Sequence, residues 1–332
     1  MNVLSLFDGM SCGQIALDQL GIKVKNYFAA EIDKYAIQVA KSNYPDMVHL
    51  GDVREIWVSN SYEGAIGGSP CTTGIDHKGK THKIDLLIGG SPCQGFSFAG
   101  KQLNFDDPQS QLFFEYVRLL KALKPKYFLL ENVRMNKKSM DVISEYLGVE
   151  PIAINSNLVS AQNRYRLYWT NIPMEGLPQD KGIMLKDILE PVEQIDDVYY
   201  YSAKSIAYME RGNEKWQQAG AKRADRYTQT PDTKKAFTIT ANFYKGVPYN
   251  YFDDNSVDTK HIRKLTVKEC ERLQTVPDGY TEMGIFANDK DYDPVLHEHC
   301  QRKTISNTQR YKMLGNGWTV DVISHLMKNM EK

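Results

Sequence analysis

The sequence predicts an α/β fold built on a parallel sheet, and three observations predict it. Over the first 172 residues, short apolar runs alternate with segments of helical period. Polar and carboxylate-bearing residues follow those apolar runs directly, at the edge where open α/β sheets bind their ligands. From about Pro173 to Tyr280 the texture changes to Tyr, Lys, Arg, Asn and Gln with weak apolar periodicity, which predicts a second, smaller region.

Each element has its own signal. Val3-Leu4-Ser5-Leu6-Phe7 reads as a short buried strand, followed by a glycine-containing turn and a helix over Gln14 to Leu20 that Gly21 can end. Val24 to Ala30 reads as the second strand, and Asp33 as the cap of a helix that stops near Pro45. Ile84 to Ile88 is a further strand. Gln111 to Leu123 has apolar residues at helical spacing and is ended by Pro125. Tyr127 to Leu130 is a strand with Glu131 and Asn132 at its carboxyl end. Thr266-Val267-Lys268-Glu269 fits a capping box opening a helix to Gln274, and a last helix runs from about Thr319 to Met330.

Composition bounds the function classes. The 332 residues carry 41 basic and 41 acidic side chains, so the formal charge is zero and any nucleic-acid site must be a local patch. A hydrophobic content of 42% with 25% charged residues fits an ordinary globular protein. No basic segment precedes Asp8 and no apolar run approaches the ~20 residues that span a bilayer, so neither a signal peptide nor a membrane anchor is expected. The cysteines are Cys12, Cys71, Cys93, Cys270 and Cys300, odd in number and never spaced C-x-x-C. They predict neither a disulfide framework nor a zinc knuckle, and point to a reducing, intracellular setting. One repeat is present: Ile66-Gly67-Gly68-Ser69-Pro70-Cys71 recurs unchanged as Ile88-Gly89-Gly90-Ser91-Pro92-Cys93.

Three motifs carry chemistry. Cys93 follows a buried strand on a proline-fixed turn, which would hold a thiol at the ligand-binding edge; a thiol near pKa 8.5 is only about 3% thiolate at pH 7, so a nucleophilic role requires an anion-stabilising environment. Glu131, at the end of a neighbouring strand, can serve as an acid or hydrogen-bonding group beside it. Arg164 and Arg166, at i and i+2 of an extended segment, share a face and can grip a phosphate, or a base and its carboxylate. Taken singly, each also reads as ordinary structure: a small buried hydrophobe, a strand-end ion pair, surface charge.

The ordered set of motifs resembles the cytosine-C5 methyltransferases that use S-adenosylmethionine. It comprises Phe7-Asp8-Gly9 with Gly13; Glu31; Asp52-Val53; Gly90 to Ser97; Glu131-Asn132-Val133; Gln162-x-Arg164-x-Arg166; Arg263 to Gln274; Pro277 to Tyr280; and Gly315-Asn316-Gly317. The pattern is of the bacterial and phage type, with a Gly-Asn-Gly-Trp ending closer to the eukaryotic de novo branch. Ser11 stands where that family more often has glycine, and 281–305 is longer than its usual link.

The resemblance implies a Rossmann-like methyltransferase sheet formed by 1–172 plus 306–332, a target-recognition domain over 173–305, and an insertion at 54–82. It implies that Cys93 adds to C6 of a flipped cytosine, that Glu131 engages N3 and the exocyclic amine, and that Arg164 and Arg166 hold the base, its phosphate and Glu131. For the cofactor it implies Gly9 at the methionine end, Glu31 on the ribose hydroxyls, Asp52 on the adenine amine, walls from Phe7, Ile32, Val53, Pro92 and Leu112, and Asn316 from the C-terminal side. No metal is implied. Cys93 is preferred to Cys71 because Lys83 to Leu87 is strand-like, whereas Ser61 to Ala65 is a poor strand and Thr72 to Lys80 is polar and turn-like. The expected activity is DNA cytosine-5 methyl transfer on double-stranded DNA, by a monomer in the cytoplasm of a bacterial or phage-infected cell. Alternatives are the same chemistry on transfer RNA, a catalytically silent nucleic-acid-binding relative and, more distantly, a dinucleotide-dependent oxidoreductase. A basic, aromatic stretch within Tyr199 to Asn250, which includes Lys204, Arg211, Lys215, Lys234, Lys235 and Lys245, is the expected nucleic-acid face.

Overall fold

The protein is described here by a computed structural model covering residues 1–62, 71–91, 108–218, 229–246, 249–254, 262–287 and 300–331. The chain divides into two units. The first comprises Met1–Asn155, Tyr165–Leu177 and Val322–Lys332, and the second Ser156–Arg164 and Pro178–Asp321.

In the first unit, strand β1 (Asn2–Leu6) leads through a glycine loop into helix α1 (Cys12–Gln19), then β2 (Asn26–Ala30), α2 (Lys34–Asn43) and β3 (Val48–Gly51). Asp33 caps α2 by accepting from the Tyr35 and Ala36 amides at 2.9 and 3.0 Å, as its sequence position predicts. A small antiparallel sheet follows, of β4 (Val58–Tyr62), β5 (Cys71–His77) and β6 (Lys80–His82). Then come β7 (Leu86–Gly90), α3 (Pro108–Leu123), β8 (Tyr127–Val133), α4 (Lys137–Leu147), β9 (Ile152–Asn155) and β10 (Tyr165–Thr170).

Seven of these strands form the main sheet, in the order β3-β2-β1-β7-β8-β10-β9. β1, β2, β3, β7 and β8 are parallel to one another, but β10 runs antiparallel to both β8 and β9. The sheet is thus parallel-dominated, as expected, with β10 the one strand that reverses direction. Its core includes Leu4, Phe28, Leu87, Phe113, Leu130 and Trp169, all fully enclosed.

The 54–82 segment is more than a surface excursion, and the turn-like reading of Thr72 to Lys80 is overturned by β5. Left-handed Lys78 and Gly79 (φ 54° and 71°) supply the two-residue turn that matches the twist of a β5–β6 hairpin. Ile75 is 2% exposed and joins the core of the unit, which anchors the small sheet.

The second unit holds α5 (Ala203–Gln218), β11 (Phe252–Asp253), β12 (Ile262–Arg263), α6 (Val267–Leu273), β13 (Met283–Ala287), β14 (Cys300–Thr304) and α7 (Asn307–Asn316). α8 (Val320–Met327) carries the chain back to the first unit. The Arg263 to Tyr280 motif is the frame of the second unit. Arg263 makes a two-pronged ion pair with Glu269 at 2.8 and 2.9 Å, both side chains at most 1% exposed. Glu269 also closes the capping box with Thr266, while Arg272 pairs with Asp278 across the following turn. Residues 306–321, expected with the catalytic region, fall in this second unit by their contacts, as do 156–164.

Candidate active site and cofactor loop

β7 and β8 lie side by side, with Gly90 in register with Glu131. The chain beyond β7 therefore leaves the sheet beside that glutamate. Pro92 and Cys93 lie outside the described residues, as does the 94–107 segment expected to close over the base. Ser91, the last described residue before them, is 4% exposed and accepts from the Asn132 side-chain amide at 3.1 Å. Asn132, already notable within the Glu-Asn-Val motif, thus ties the root of the cysteine loop to β8.

Glu131 is buried inside β8, not past its end, and Arg166 of β10 meets it with Nε at 2.9 Å from Oε1. The antiparallel register of Val133 with Arg166 brings the two onto one face. Arg164 does something else. Only 3% exposed, it donates to the carbonyls of Ile239 (2.7 Å), Gly315 (3.0 Å) and Gly317 (2.8 Å). The expected grip on base and phosphate is corrected for this residue: its guanidinium holds backbone on either side of Asn316. Gln274 adds bonds to the Leu314 and Gly317 carbonyls at 2.6 and 3.0 Å. Asn316 itself is exposed at the end of α7.

The cofactor residues cluster after β1, β2 and β3. Phe7, Gly9 and Ser11 all adopt left-handed backbone (φ 57°, 61° and 67°), a conformation that costs a residue with a Cβ about 1–2 kcal/mol. Strain of this kind collects where a loop is shaped for a ligand. It also explains why glycine suits position 11. Nothing lies within 4 Å of where a Cβ on Gly9 would be, so the loop is open there, whereas a Cβ on Gly13 would sit 2.3 Å from Ile88 Cδ1. Gly13 is thus required by the close approach of α1 to the sheet.

Glu31 fixes this loop from the end of β2. Oε2 accepts from the Gly9 amide at 2.7 Å, and Oε1 from the Ile32 and Asp33 amides at 2.7 and 2.8 Å. A carboxylate accepts about four hydrogen bonds, leaving capacity for a ligand hydroxyl. Ile32 is 74% exposed beside it, an apolar side chain with a face to offer. Phe7 and Leu112 are partly buried against the core. Val53, 5% exposed, is turned into the core by the short turn Val53–Glu55, so its side chain is not a wall. Asp52 is engaged by Arg54, whose Nε lies 3.0 Å from Oδ1, and this hydrogen bonding holds its carboxyl below the usual range. An adenine amine would share that carboxylate with Arg54.

Sequence reasoning did not single out Tyr27, which donates to Asp8 at 2.8 Å, nor any role for the Asp8 carboxylate. Ser11 donates to the same group. Burial is the largest influence on Asp8 and raises its pKa to about 6, with the three hydroxyl groups of Ser11, Ser5 and Tyr27 acting against it and Glu31 adding to it.

The profile of the C-5 cytosine-specific DNA methylase family matches residues 1–170 and 150–332, the whole length of the chain. The chain belongs to that family. It is a DNA cytosine-5 methyltransferase. Among curated relatives it is 29% identical to the type II methyltransferase M1.ScrFI of Lactococcus lactis subsp. cremoris, over 99% of this chain and 77% of the relative. It is 28% identical to the type II methyltransferase M.Bsp6I of Bacillus sp. (strain RFL6), over 100% of this chain and 99% of that one. Solved structures share the methylase fold at lower identity. The S. pombe Dnmt2 methyltransferase superposes with a TM-score of 0.64 at 17% identity, covering 98% of this chain and 97% of that one. A putative DNA modification methyltransferase of an E. coli prophage gives 0.62 at 18%, covering 99% and 98%. Among the described residues, no helix of the methylase is long and apolar enough to cross a membrane.

Proposed function

We propose that this methylase transfers a methyl group from S-adenosylmethionine to C5 of a cytosine turned out of double-stranded DNA, with Cys93 as nucleophile. The observation that carries the reading is the Glu131–Arg166 ion pair, in register with the strand that leads through Ser91 into Pro92-Cys93.

Cytosine C5 is a poor nucleophile. The Cys93 thiolate adds to C6, and the electron pair released from the C5–C6 double bond moves toward C5 and the ring nitrogen N3. Glu131 engages N3 and the exocyclic amine, stabilising the electron-rich ring, and Arg166 holds Glu131 in place. When bound, S-adenosylmethionine supplies the electrophilic methyl group. Loss of the C5 proton then restores the double bond and expels the Cys93 thiolate. A base within a duplex is not accessible to this attack, so extrusion at a cost of a few kcal/mol is part of the reading.

The loop residues fit the cofactor. Gly9 is open on its outer side, Glu31 retains acceptor capacity for a ribose hydroxyl, and Ile32 presents an exposed apolar face. Phe7, Leu112, Pro92 and Asn316 complete the assignment, with Asp52 shared as described and Val53 able to offer backbone. Residues 173–305 act as the target-recognition region of a monomeric enzyme. Support comes from the exposed Lys204, Arg211, Lys215, Lys234 and Lys245, with Tyr208 73% and Tyr249 46% exposed.

The test is a covalent trap. A mixed-sequence duplex containing 5-fluorocytosine is incubated with enzyme and S-adenosylmethionine, and the cross-linked peptide is mapped. The fluorine cannot leave as a proton, so the reaction stalls as an adduct on the Cys93 peptide. An adduct on Cys71 would move the nucleophile. An adduct formed with an RNA substrate and not with DNA would overturn the substrate.

A further inference from the structure

The cofactor loop contains a negative charge that no cation among the described residues neutralises. Among the described residues, the Asp8 carboxylate, in a half-buried residue, is held by hydroxyls: Tyr27 Oη at 2.8 Å, Ser11 Oγ and Ser5. These donors orient it but carry no charge. Among the described residues, the groups that act on it are neutral hydroxyls and one further acid. Glu31, after β2, adds a second negative charge, and Tyr44, at the end of α2, is neutral and donates to Asp18 at 2.9 Å. Among the described residues no lysine, arginine or histidine pairs with Asp8. A partly desolvated carboxylate without a cation is costly, and the loop around it is itself strained at Phe7 and Ser11. Both features are compensated if the ligand of this loop brings the positive charge.

We infer that Asp8 is a specificity-determining residue that favours the positively charged methyl donor over its uncharged demethylated product. The inference rests on the assignment of this loop to S-adenosylmethionine. The donor carries a sulfonium cation, whereas S-adenosylhomocysteine has a neutral thioether and is otherwise the same molecule. In a partly desolvated loop the attraction between carboxylate and sulfonium is little screened. Methyl transfer abolishes that attraction, so the same carboxylate that retains the donor releases the product.

Binding of the two ligands to wild-type protein, followed by calorimetry at pH 5 and pH 7, tests this without any turnover. Asp8 is mostly ionised at pH 7 and mostly protonated at pH 5. Affinity for S-adenosylmethionine is expected to fall roughly tenfold between pH 7 and pH 5, and that for S-adenosylhomocysteine by less than about twofold. Groups that act on both ligands alike, Glu31 among them, cancel in the ratio. In Asp8→Asn the ratio should be low and independent of pH. Parallel pH profiles for the two ligands in wild type, or a preserved preference in Asp8→Asn, would overturn the inference while leaving the cofactor assignment intact. Binding of neither ligand at any pH would remove the assignment and the inference together. Should the variant fail to fold, the wild-type ratio alone decides.

Discussion

Replacing Glu131 by Gln keeps the shape of the side chain and removes the charge that Arg166 meets at 2.9 Å. Single-turnover methylation is expected to slow by about 10²- to 10³-fold, because the group opposite N3 then stabilises the electron-rich ring poorly. DNA affinity by gel shift should change by less than about threefold. A loss of binding as large as the loss of rate would mean that Glu131 positions the duplex. Asp8 makes a prediction about stability. Its folded-state pKa of about 6 lies above the ordinary carboxylate value, so its contribution is fully present below about pH 4 and is lost as the pH rises through 6. Asp8→Asn should therefore gain on wild type as pH rises from 4 to 7, by on the order of 2 kcal/mol in denaturant melts of ligand-free protein. An unchanged difference across that range would show that the carboxylate is well solvated.

Among the elements, the Arg164 clamp and the Arg263–Glu269 pair invite different experiments. Arg164→Lys loses the fork that reaches both the Ile239 and Gly317 carbonyls. If Asn316 contacts the cofactor, KM for S-adenosylmethionine should rise about tenfold with a smaller change in kcat; the reverse split would assign Arg164 to the reacting base. Glu269→Gln leaves the 1%-exposed Arg263 without its charge partner and is expected to cost about 3–5 kcal/mol in urea melts. How far elements were legible depended on whether their signal was local. The Asp33 cap, the Thr266 capping box and the buried run of β1 are set by neighbours in sequence, and all three stand in the structure. The reversal of β10 is set by pairing with β8 and β9, and the strand at Cys71–His77 by a hairpin turn and one core residue, Ile75. Neither leaves a periodic trace. The same limit separated the two arginines. Position i and i+2 placed them on one face, but only the tertiary path sends Arg164 to carbonyls and Arg166 to Glu131.

For the whole molecule, a formal charge of zero means that DNA affinity depends on where the cations stand, not on how many there are. Lys234 and Lys235 are adjacent yet opposite in role. Lys234 is exposed, whereas Lys235 donates to the carbonyls of Asn157 (2.6 Å), Ser160 (3.1 Å) and Ile183 (2.6 Å), which gives each of its three protons an acceptor. Lys234→Ala should lower the slope of log affinity against log salt by about one, and Lys235→Ala should leave the slope unchanged while destabilising the fold. Equal slopes for Lys234→Ala and wild type would exclude Lys234 from phosphate contact.

The return of α8 has a bearing on how the enzyme is made. Residues 322–332 belong with the sheet at the other end of the chain: Ser324 donates to Gln19 at 2.6 Å, and Asn329 to the Pro173 carbonyl at 2.9 Å. Val322, Ile323, Leu326 and Met327 are fully enclosed there. During translation, at about 5–20 residues per second, the first unit emerges with that apolar surface uncovered and stays so until α8 clears the ribosome. The nascent methylase is thus exposed to chaperones and proteases until that helix follows. A ribosome-stalled chain ending at 321 should be digested readily by protease, and one that includes 332 with a further tunnel-length linker should resist.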